Sequence, residues 1–295
     1  MSLFPDPYRY EIGITTVIGC RNACEYCPQE PLIKAYRQRS SVLTLTLDMF
    51  KEYLEKIPPY VELHFNGMSE PWLNPQCTDM VLYAHKRGHA LKVYSTLVGM
   101  KPEDVDRLER VPYKWFTVHV PSDSGQEAIA VNAEYIEVVR RILRSDIGAN
   151  FHFHSGDLHP ALRELLAPIA GRSDLCNRGG NLTEEPGRPL IHRTGSLRCP
   201  TNMRANTLLP NGDIVLCCMD WGLKHVLGNL ASSDYKSLFR GQEFKKVRHG
   251  LRNGSLDVLC RNCEWAEDFS LGRRISYNLD VRRYARAVFR LWGRR

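Results

Sequence analysis

No run of about 18 apolar residues, the length needed to span a bilayer as a helix, occurs in the 295-residue sequence. The start, MSLFPDPYRYEIG, has no basic stretch leading into an apolar one, so no secretory leader is expected. No self-similarity at solenoid period is evident. Acidic residues are nearly missing from one place: between Arg273 and Arg295 eight arginines stand against Asp280 alone, which accounts for the whole formal net charge of +7. The remainder is close to neutral. No nucleic-acid partner is expected, and the expected location is the cytoplasm.

Against these absences, ten cysteines require an explanation: Cys20, Cys24, Cys27, Cys77, Cys176, Cys199, Cys217, Cys218, Cys260 and Cys263. Disulfides are rare in a reducing cytosol, where clustered cysteines more often bind metal or do redox chemistry. Seven of the ten fall into two spaced groups, one near each end of the chain.

The first 180 residues alternate strand-like and helix-like segments. Strands are expected at 10–18, 60–66, 90–96, 114–120, 149–154 and 173–177, with helical patterns such as LTLDMFKEYLEKI, CTDMVLYAHKRG and QEAIAVNAEYIEVVRRIL between them. Such alternation predicts a parallel sheet of βα units. Six units fit an open, partial (β/α)6 TIM-like barrel within the α/β class. In three strands one face is apolar and the other polar. Val61, Leu63 and Phe65 oppose Glu62, His64 and Asn66; Phe116, Val118 and Val120 oppose Thr117 and His119; Phe151 and Phe153 oppose Asn150, His152 and His154. Successive strand side chains point to opposite faces. A curled sheet of this pattern would pack helices outside and line a polar cavity suited to a hydroxyl-rich or charged ligand.

After residue 180 the texture changes. Residues 181–198 read as a Gly- and Pro-containing linker. A hairpin is expected next, with Asn211-Gly212 as its turn signal, then a helix over 234–249 and a cysteine loop at 260–263. The expected organisation is a barrel over 1–180, the linker, a small α+β domain over 199–270, and a basic amphipathic helix over 271–295. In that helix apolar Val281, Tyr284, Val288, Leu291 and Trp292 recur at helical spacing, with arginines mainly on the other side. A weak contact with an anionic membrane surface, making the protein peripheral to the membrane, is one expectation for it; docking on the protein's own body is the other.

Cys20-Arg-Asn-Ala-Cys24-Glu-Tyr-Cys27 directly follows the first expected strand. Three thiolates within eight residues can reach one metal centre. A [4Fe–4S] cluster normally takes four cysteines, so three leave one iron open to activate a small molecule. A structural zinc ion, closed by a fourth ligand from elsewhere, is the alternative. The run resembles the signature of the radical S-adenosylmethionine (SAM) superfamily, CxxxCxxC in the loop after the first strand, and Tyr26 before the third cysteine matches as well. That resemblance implies that the open iron binds the amino and carboxylate groups of SAM. One electron then splits a C–S bond to give a 5′-deoxyadenosyl radical. After the second strand, Phe65-Asn-Gly67-Met-Ser-Glu70-Pro71 is similar to the family's GGEP motif, with Met68 and Ser69 before Glu70 in place of the two glycines. It implies that Gly67 and Glu70 help hold the methionine amino group, and that Ser95 and Thr96, ending the third strand, meet SAM.

Cys199, Cys217, Cys260 and Cys263 suit a closed tetrathiolate site, and spacing leaves zinc and [4Fe–4S] both open. The order Cys199-x12-Gly212-x4-Cys217, a long gap and then CxxC resembles the SPASM/twitch extensions of radical SAM enzymes. No cysteine follows Cys263, which matches the shorter twitch form with one auxiliary [4Fe–4S] cluster, two clusters in all. Cys218 could replace Cys217 as a ligand; the G-x4-C spacing favours Cys217. Twitch enzymes include aminocyclitol dehydrogenases, and Asn177-Arg178-Gly179-Gly180 resembles a segment of them. That implies Arg178 at the substrate hydroxyl, with Cys176 the best placed thiol should one return a hydrogen atom.

The expected activity is oxidation to a ketone of a carbinol carbon in a polar sugar- or aminocyclitol-like small molecule. A flavodoxin- or ferredoxin-like one-electron donor would serve it. Radical epimerisation with a cysteine hydrogen donor and modification of a peptide are the alternatives. The 19 residues before Cys20 leave no room for a peptide-recognition domain, which disfavours the last.

Overall fold

The structure, a computed structural model, describes residues 11–182, 191–199, 205–254 and 256–269. The basic amphipathic helix expected over 271–295 lies outside the described residues. Six strands alternate with helices in chain order: β1 (Glu11–Ile14), α1 (Gln29–Arg37), α2 (Leu47–Glu55), β2 (Glu62–Phe65), α3 (Cys77–Lys86), β3 (Leu91–Ser95), α4 (Pro102–Leu108), β4 (Tyr113–His119), α5 (Ala133–Arg144), β5 (Asn150–Phe153), α6 (Arg163–Leu166) and β6 (Gly171–Arg172). All neighbours from β1 to β6 pair in parallel. The sheet stays open, as expected for a partial barrel.

The apolar strand faces pack as their alternation predicts. Val61, Leu63, Phe65, Phe116, Val118, Val120 and Phe151 are all buried in one core with Phe50 and Leu54 of α2, Met80 and Val81 of α3, and Val138 and Ile142 of α5. Burying side chains of this size stabilises by about 1.5–3 kcal/mol each. The opposite face is polar and self-neutralising at its lower end. There Lys92 of β3 meets Glu62 of β2 at 3.0 Å and also Glu11 of β1, and Lys114 of β4 meets Glu62. The upper, C-terminal ends of the strands carry the histidines.

The sheet does not stop at β1. After β7 (Leu197–Arg198) come β8 (Ala205–Leu208), β9 (Asp213–Val215) and β10 (Val226–Asn229). β8 runs parallel to β1, and the full order is β10-β9-β8-β1-β2-β3-β4-β5-β6. The hairpin assigned from sequence to a separate small domain therefore continues the barrel's own sheet. The turn residue Gly212 has φ +89°, and a Cβ there would lie 3.0 Å from the Tyr53 ring of α2. The helix expected over 234–249 is broken into α7 (Tyr235–Leu238) and α8 (Gln242–Gly250), because the Gly241 N–H turns back to the Leu238 carbonyl at 3.3 Å. The end of the expected linker is also ordered: β7 pairs antiparallel with β11 (Glu267–Asp268), which brings Cys199 beside the 260–263 loop.

Two other expectations differ. The helix read from residue 126 begins only at Ala133, where the Asn132 side chain caps it by accepting the Tyr135 N–H at 2.9 Å. Residues 126–128 are drawn out as backbone partners of the cysteine loop, through Glu25 N–H to Gln126 O at 3.0 Å and Ala128 N–H to Asn22 O at 2.7 Å. The sixth strand is Gly171–Arg172, not 173–177. Its ladder ends when the Ser173 N–H reaches Phe153 O at 2.9 Å, so Cys176 stands beyond the strand and does not end it. No described helix is long and apolar enough to cross a membrane.

Candidate active site and auxiliary cysteine site

Cys20, Cys24 and Cys27 share the loop from β1 into α1, each half-buried. The loop turns through Ala23, whose φ is +44°, and closes with the Cys27 N–H on Cys24 O at 2.9 Å. Three contacts fix it to its surroundings. Gln29 accepts the Cys20 N–H at 3.2 Å while donating to Met68 O at 2.8 Å, and Asn22 Nδ2 donates to Thr96 Oγ1 at 2.8 Å. Cys24 and Cys27 share a hydrogen bond; it lowers the Cys27 thiol to about 7, with the Arg178 charge acting in the same direction.

The Gly67–Pro71 segment forms the second wall. Gly67 has φ +41°, and a Cβ on it would sit 2.4 Å from Thr15 Cα and 2.6 Å from Ile14 O, so only glycine lets this segment lie against the end of β1. Met68 N–H donates to Thr15 Oγ1 at 3.1 Å. Glu70 is buried, and each carboxylate oxygen accepts twice. Oε1 takes Trp72 N–H at 3.1 Å and Ser95 Oγ at 2.7 Å; Oε2 takes Thr96 N–H at 2.6 Å and Thr96 Oγ1 at 2.7 Å. Its acceptor capacity is thereby filled. Ser95 and Thr96, expected to meet SAM directly, spend their hydroxyls on Glu70, and Glu70 acts here as the pin between the Gly67–Pro71 segment, β3 and the cysteine loop. Burial raises the Glu70 pKa against these donors. Asn22 Oδ1 and Ser69 Oγ, by contrast, are buried with no hydrogen-bond partner. Orphaned polar atoms beside a three-thiol loop fit a polar ligand bound at an open iron.

Tyr26 faces the polar side of the sheet. Its ring packs edge-on against His154 at 5.0 Å and His119 at 5.8 Å, the two imidazoles lie 4.0 Å apart, and Tyr94 sits 6.2 Å from His119. The Tyr26 hydroxyl donates to Glu127 at 2.8 Å, and burial raises its pKa. His119, His154 and Glu127 were not singled out as functional from sequence. The alternating strand pattern marked the two histidines as lumen-facing, while Glu127 was hidden inside a helical pattern that does not form. Arg178, φ +48°, lies close enough to Cys27, Cys176, Cys218 and Tyr94 for their charges to act on it, and its Nε is buried without a partner.

At the other site Cys199, Cys217, Cys260 and Cys263 line one small cavity with Met219, Leu259 and Ala266. Cys218 is not part of that lining, in keeping with the G-x4-C spacing. Among the described residues no three His, Cys, Asp or Glu side chains are drawn in around a single-ion point, and the four thiols share the cavity walls. This all-sulfur, otherwise apolar donor set fits an iron–sulfur cluster. Burial raises the Cys260 and Cys263 thiols to about 12 and about 11, so without a metal they stay protonated at neutral pH, and a metal that binds them displaces their protons to solvent.

Two supports of this site were not legible in sequence. Arg261, inside the CxxC loop, is 1% exposed. It uses all five of its N–H groups on backbone carbonyls: Leu256 at 3.2 Å, Arg193 at 2.9 Å, Gly195 at 3.0 Å, Gly250 at 2.5 Å and Asn253 at 2.8 Å. His225 Nε2 accepts the Leu259 N–H at 3.1 Å, so its Nδ1 carries the proton donated to Glu243 at 2.8 Å.

The Asn177–Gly180 run joins the two sites. Asn177 N–H donates to Glu264 at 2.6 Å, its Nδ2 to Asn262 O at 2.7 Å, and its Oδ1 accepts Glu264 N–H at 3.2 Å. A Cβ at Gly180 would meet Asn262 Cβ at 2.8 Å, and one at Gly179 would meet Met219 O at 3.0 Å. The backbone holding Arg178 near Cys27 is thus fastened to the second cysteine loop. Cys176 contacts Met219 through sulfur at 3.9 Å.

Residues 199–264 match the SPASM family, an iron-sulfur cluster-binding domain. The chain is similar to the S-adenosyl-L-methionine-dependent 2-deoxy-scyllo-inosamine dehydrogenase of Niallia circulans, 23% identical over 255 residues that cover 83% of this chain and 88% of that protein. Its fold is similar to that of BtrN in complex with AdoMet and 2-DOIA, at a TM-score of 0.58 and 18% identity over 87% of this chain and 93% of that one. It is also similar to Streptococcus suis SuiB bound to the precursor peptide SuiA, at a TM-score of 0.57 and 11% identity over 86% and 69%. The likenesses establish the expected fold, an open partial α/β barrel, and the family match gives residues 199–264 as an iron-sulfur cluster-binding segment.

Proposed function

We propose that this chain, a radical SAM protein with a SPASM-type segment, is an oxidoreductase that dehydrogenates a carbinol carbon of an aminocyclitol or a similar polyhydroxylated small molecule. Its cofactors are SAM and two [4Fe–4S] clusters, the first on Cys20, Cys24 and Cys27 and the second on Cys199, Cys217, Cys260 and Cys263. The first, once reduced by a flavodoxin- or ferredoxin-like donor in the cytoplasm, supplies the 5′-deoxyadenosyl radical from SAM.

The chain's own residues do the rest. Asn22 Oδ1 and Ser69 Oγ offer free polar atoms to SAM, while Gly67 and Glu70 hold that wall in place. Tyr26 and Arg178 present polar groups to a hydroxyl-rich ligand over the cysteine loop, with the imidazoles of His119 and His154 behind Tyr26. One observation carries the choice of oxidation: the segment bearing Arg178 is hydrogen-bonded through Asn177 to the second cysteine loop, so a hydroxyl held by Arg178 sits on the same rigid joint as a bound electron acceptor. Cys176, the thiol that epimerisation would need, is turned against Met219. Nothing in the described residues favours a contact with an anionic membrane.

The test is product mass. Reduced protein with SAM and a panel of aminocyclitols should give 5′-deoxyadenosine and a ketone about two mass units lighter than the substrate. A product of unchanged mass carrying solvent deuterium at an inverted carbon would mean epimerisation and refute the reading.

A further inference from the structure

Turning a carbinol into a ketone removes a hydrogen atom from carbon and a proton from oxygen, and the second needs a base. Resting on the dehydrogenase reading above, we infer that His154 is that base, its Nε2 accepting the substrate hydroxyl proton. The argument is geometric. His154 Nδ1 lies 3.1 Å from the Ser173 carbonyl oxygen and 3.0 Å from the Ser173 hydroxyl. The carbonyl can only accept, and a bare Nδ1 would set two lone pairs against each other there; with the hydrogen on Nδ1 both oxygens are satisfied, the hydroxyl accepting beside the carbonyl, and Nε2 is left with its lone pair. Ser173 is itself fixed, because its N–H is bonded to Phe153 O at 2.9 Å. The imidazole is thus oriented and held in one tautomer by the edge of the sheet, on the polar face next to the cysteine loop.

Four other groups in the layer are less suited. Arg178 does not deprotonate. Tyr26 already donates to Glu127, and Glu127 is itself buried, held by Tyr26 on Oε1 and by Ser122 at 3.2 Å on Oε2. His119 is 3% exposed against the half-buried His154, and its Nε2 is enclosed without a partner. The groups facing His154 are Tyr26 from the cysteine loop, His119 from β4, Glu127 from the loop after β4, His152 from its own strand, and Ser173 and Arg178 from the segment around β6. Burial lowers its pKa, the Ser173 carbonyl opposes this, Arg178 and His152 lower it further, and Glu127 raises it. At neutral pH the ring is therefore the free base.

The step balances as follows. The 5′-deoxyadenosyl radical takes the carbinol hydrogen atom and becomes 5′-deoxyadenosine. The hydroxyl proton passes to His154 Nε2, the remaining unpaired electron leaves to an oxidised iron–sulfur acceptor, and the carbon–oxygen double bond forms. His154 then releases the proton to water.

The test uses the full-length, cluster-loaded protein and an aminocyclitol deuterated at the reacting carbon. In His154→Asn the amide can still donate to Ser173 but offers no base; His154→Gln is the second variant. Both should keep the wild-type iron content and calorimetric substrate affinity, and should still place deuterium in 5′-deoxyadenosine. Ketone formation should fall about 100-fold, within the range for general base catalysis, and added imidazole should restore part of it. Ketone formation within about threefold of wild type would overturn the assignment. So would parallel loss of deuterium transfer and substrate binding, which would make His154 a binding residue. If the wild-type protein itself transfers no deuterium, the dehydrogenase reading fails first and the assignment with it.

Discussion

Replacing Arg261 by alanine should separate the two cysteine sites experimentally. The guanidinium holds five carbonyls from the approach to β7 and the turn after α8, and all five of its N–H groups are used. A buried acceptor left without its donor costs about 1–3 kcal/mol. If water recovers two or three of the five carbonyls, two or three stay orphaned, and the loss comes to roughly 2–9 kcal/mol, before any cavity term. That is a large part of a domain stability of about 5–15 kcal/mol. Because Arg261 lies between Cys260 and Cys263, the loss should fall on the auxiliary site first. Anaerobically reconstituted R261A should bind about half the wild-type iron and unfold at a clearly lower urea midpoint, while retaining the absorbance of the cluster on Cys20, Cys24 and Cys27. Lysine, with three N–H donors to offer, leaves at most two carbonyls orphaned and should cost less than alanine. An R261A protein with full iron and an unshifted midpoint would refute this account of the loop.

Three further outcomes follow from the geometry. Replacing Cys20, Cys24 and Cys27 together by alanine should reduce about eight irons per chain, the content of two cubanes, to about half, and should abolish SAM cleavage; zinc at the second site of anaerobically purified protein would contradict the assignment. Gly67→Ala, forced to place its methyl 2.4 Å from Thr15 Cα at φ +41°, should cost about 1–3 kcal/mol in strain and weaken SAM binding, read by calorimetry. His64 is lowered to about 4, burial first and then Lys92. The unfolded chain therefore binds its proton near pH 6.5 and the native protein only near 4. Its contribution to stability is complete above about 6.5 and is lost as pH falls towards 4, by up to about 3 kcal/mol at roughly 1.4 kcal/mol per pH unit; in urea titrations His64→Gln should flatten this acid limb, and an unchanged slope would argue against it.

Much of this was legible in the residues. The period-2 pattern of 61–66, 116–120 and 149–154 marked both the packed face and the lumen, because a strand's two faces meet different solvents. The spacings of Cys20, Cys24 and Cys27 and of Cys260 and Cys263 are local and chemically restrictive, so the sequence alone marks them as two candidate sites. Long-range backbone events were not legible. That β8 pairs with β1, that residues 126–128 leave a helical pattern to serve the cysteine loop, and that Asn177 bonds to Asn262 and Glu264 all depend on partners distant in sequence. Arg261 read as a charged loop residue, since nothing local announces that five carbonyls will converge on it. Glu70 stands out in sequence through its motif, while its partners Ser95, Thr96 and Trp72 emerge only in the fold.

The central claim is that a radical formed from SAM abstracts a carbinol hydrogen and that the substrate is then oxidised. It is tested most directly by following one label. With an aminocyclitol carrying deuterium at the reacting carbon, the account predicts one deuterium in 5′-deoxyadenosine for each ketone formed. Ketone without label in 5′-deoxyadenosine, or labelled 5′-deoxyadenosine with no ketone under any reducing condition, would contradict it.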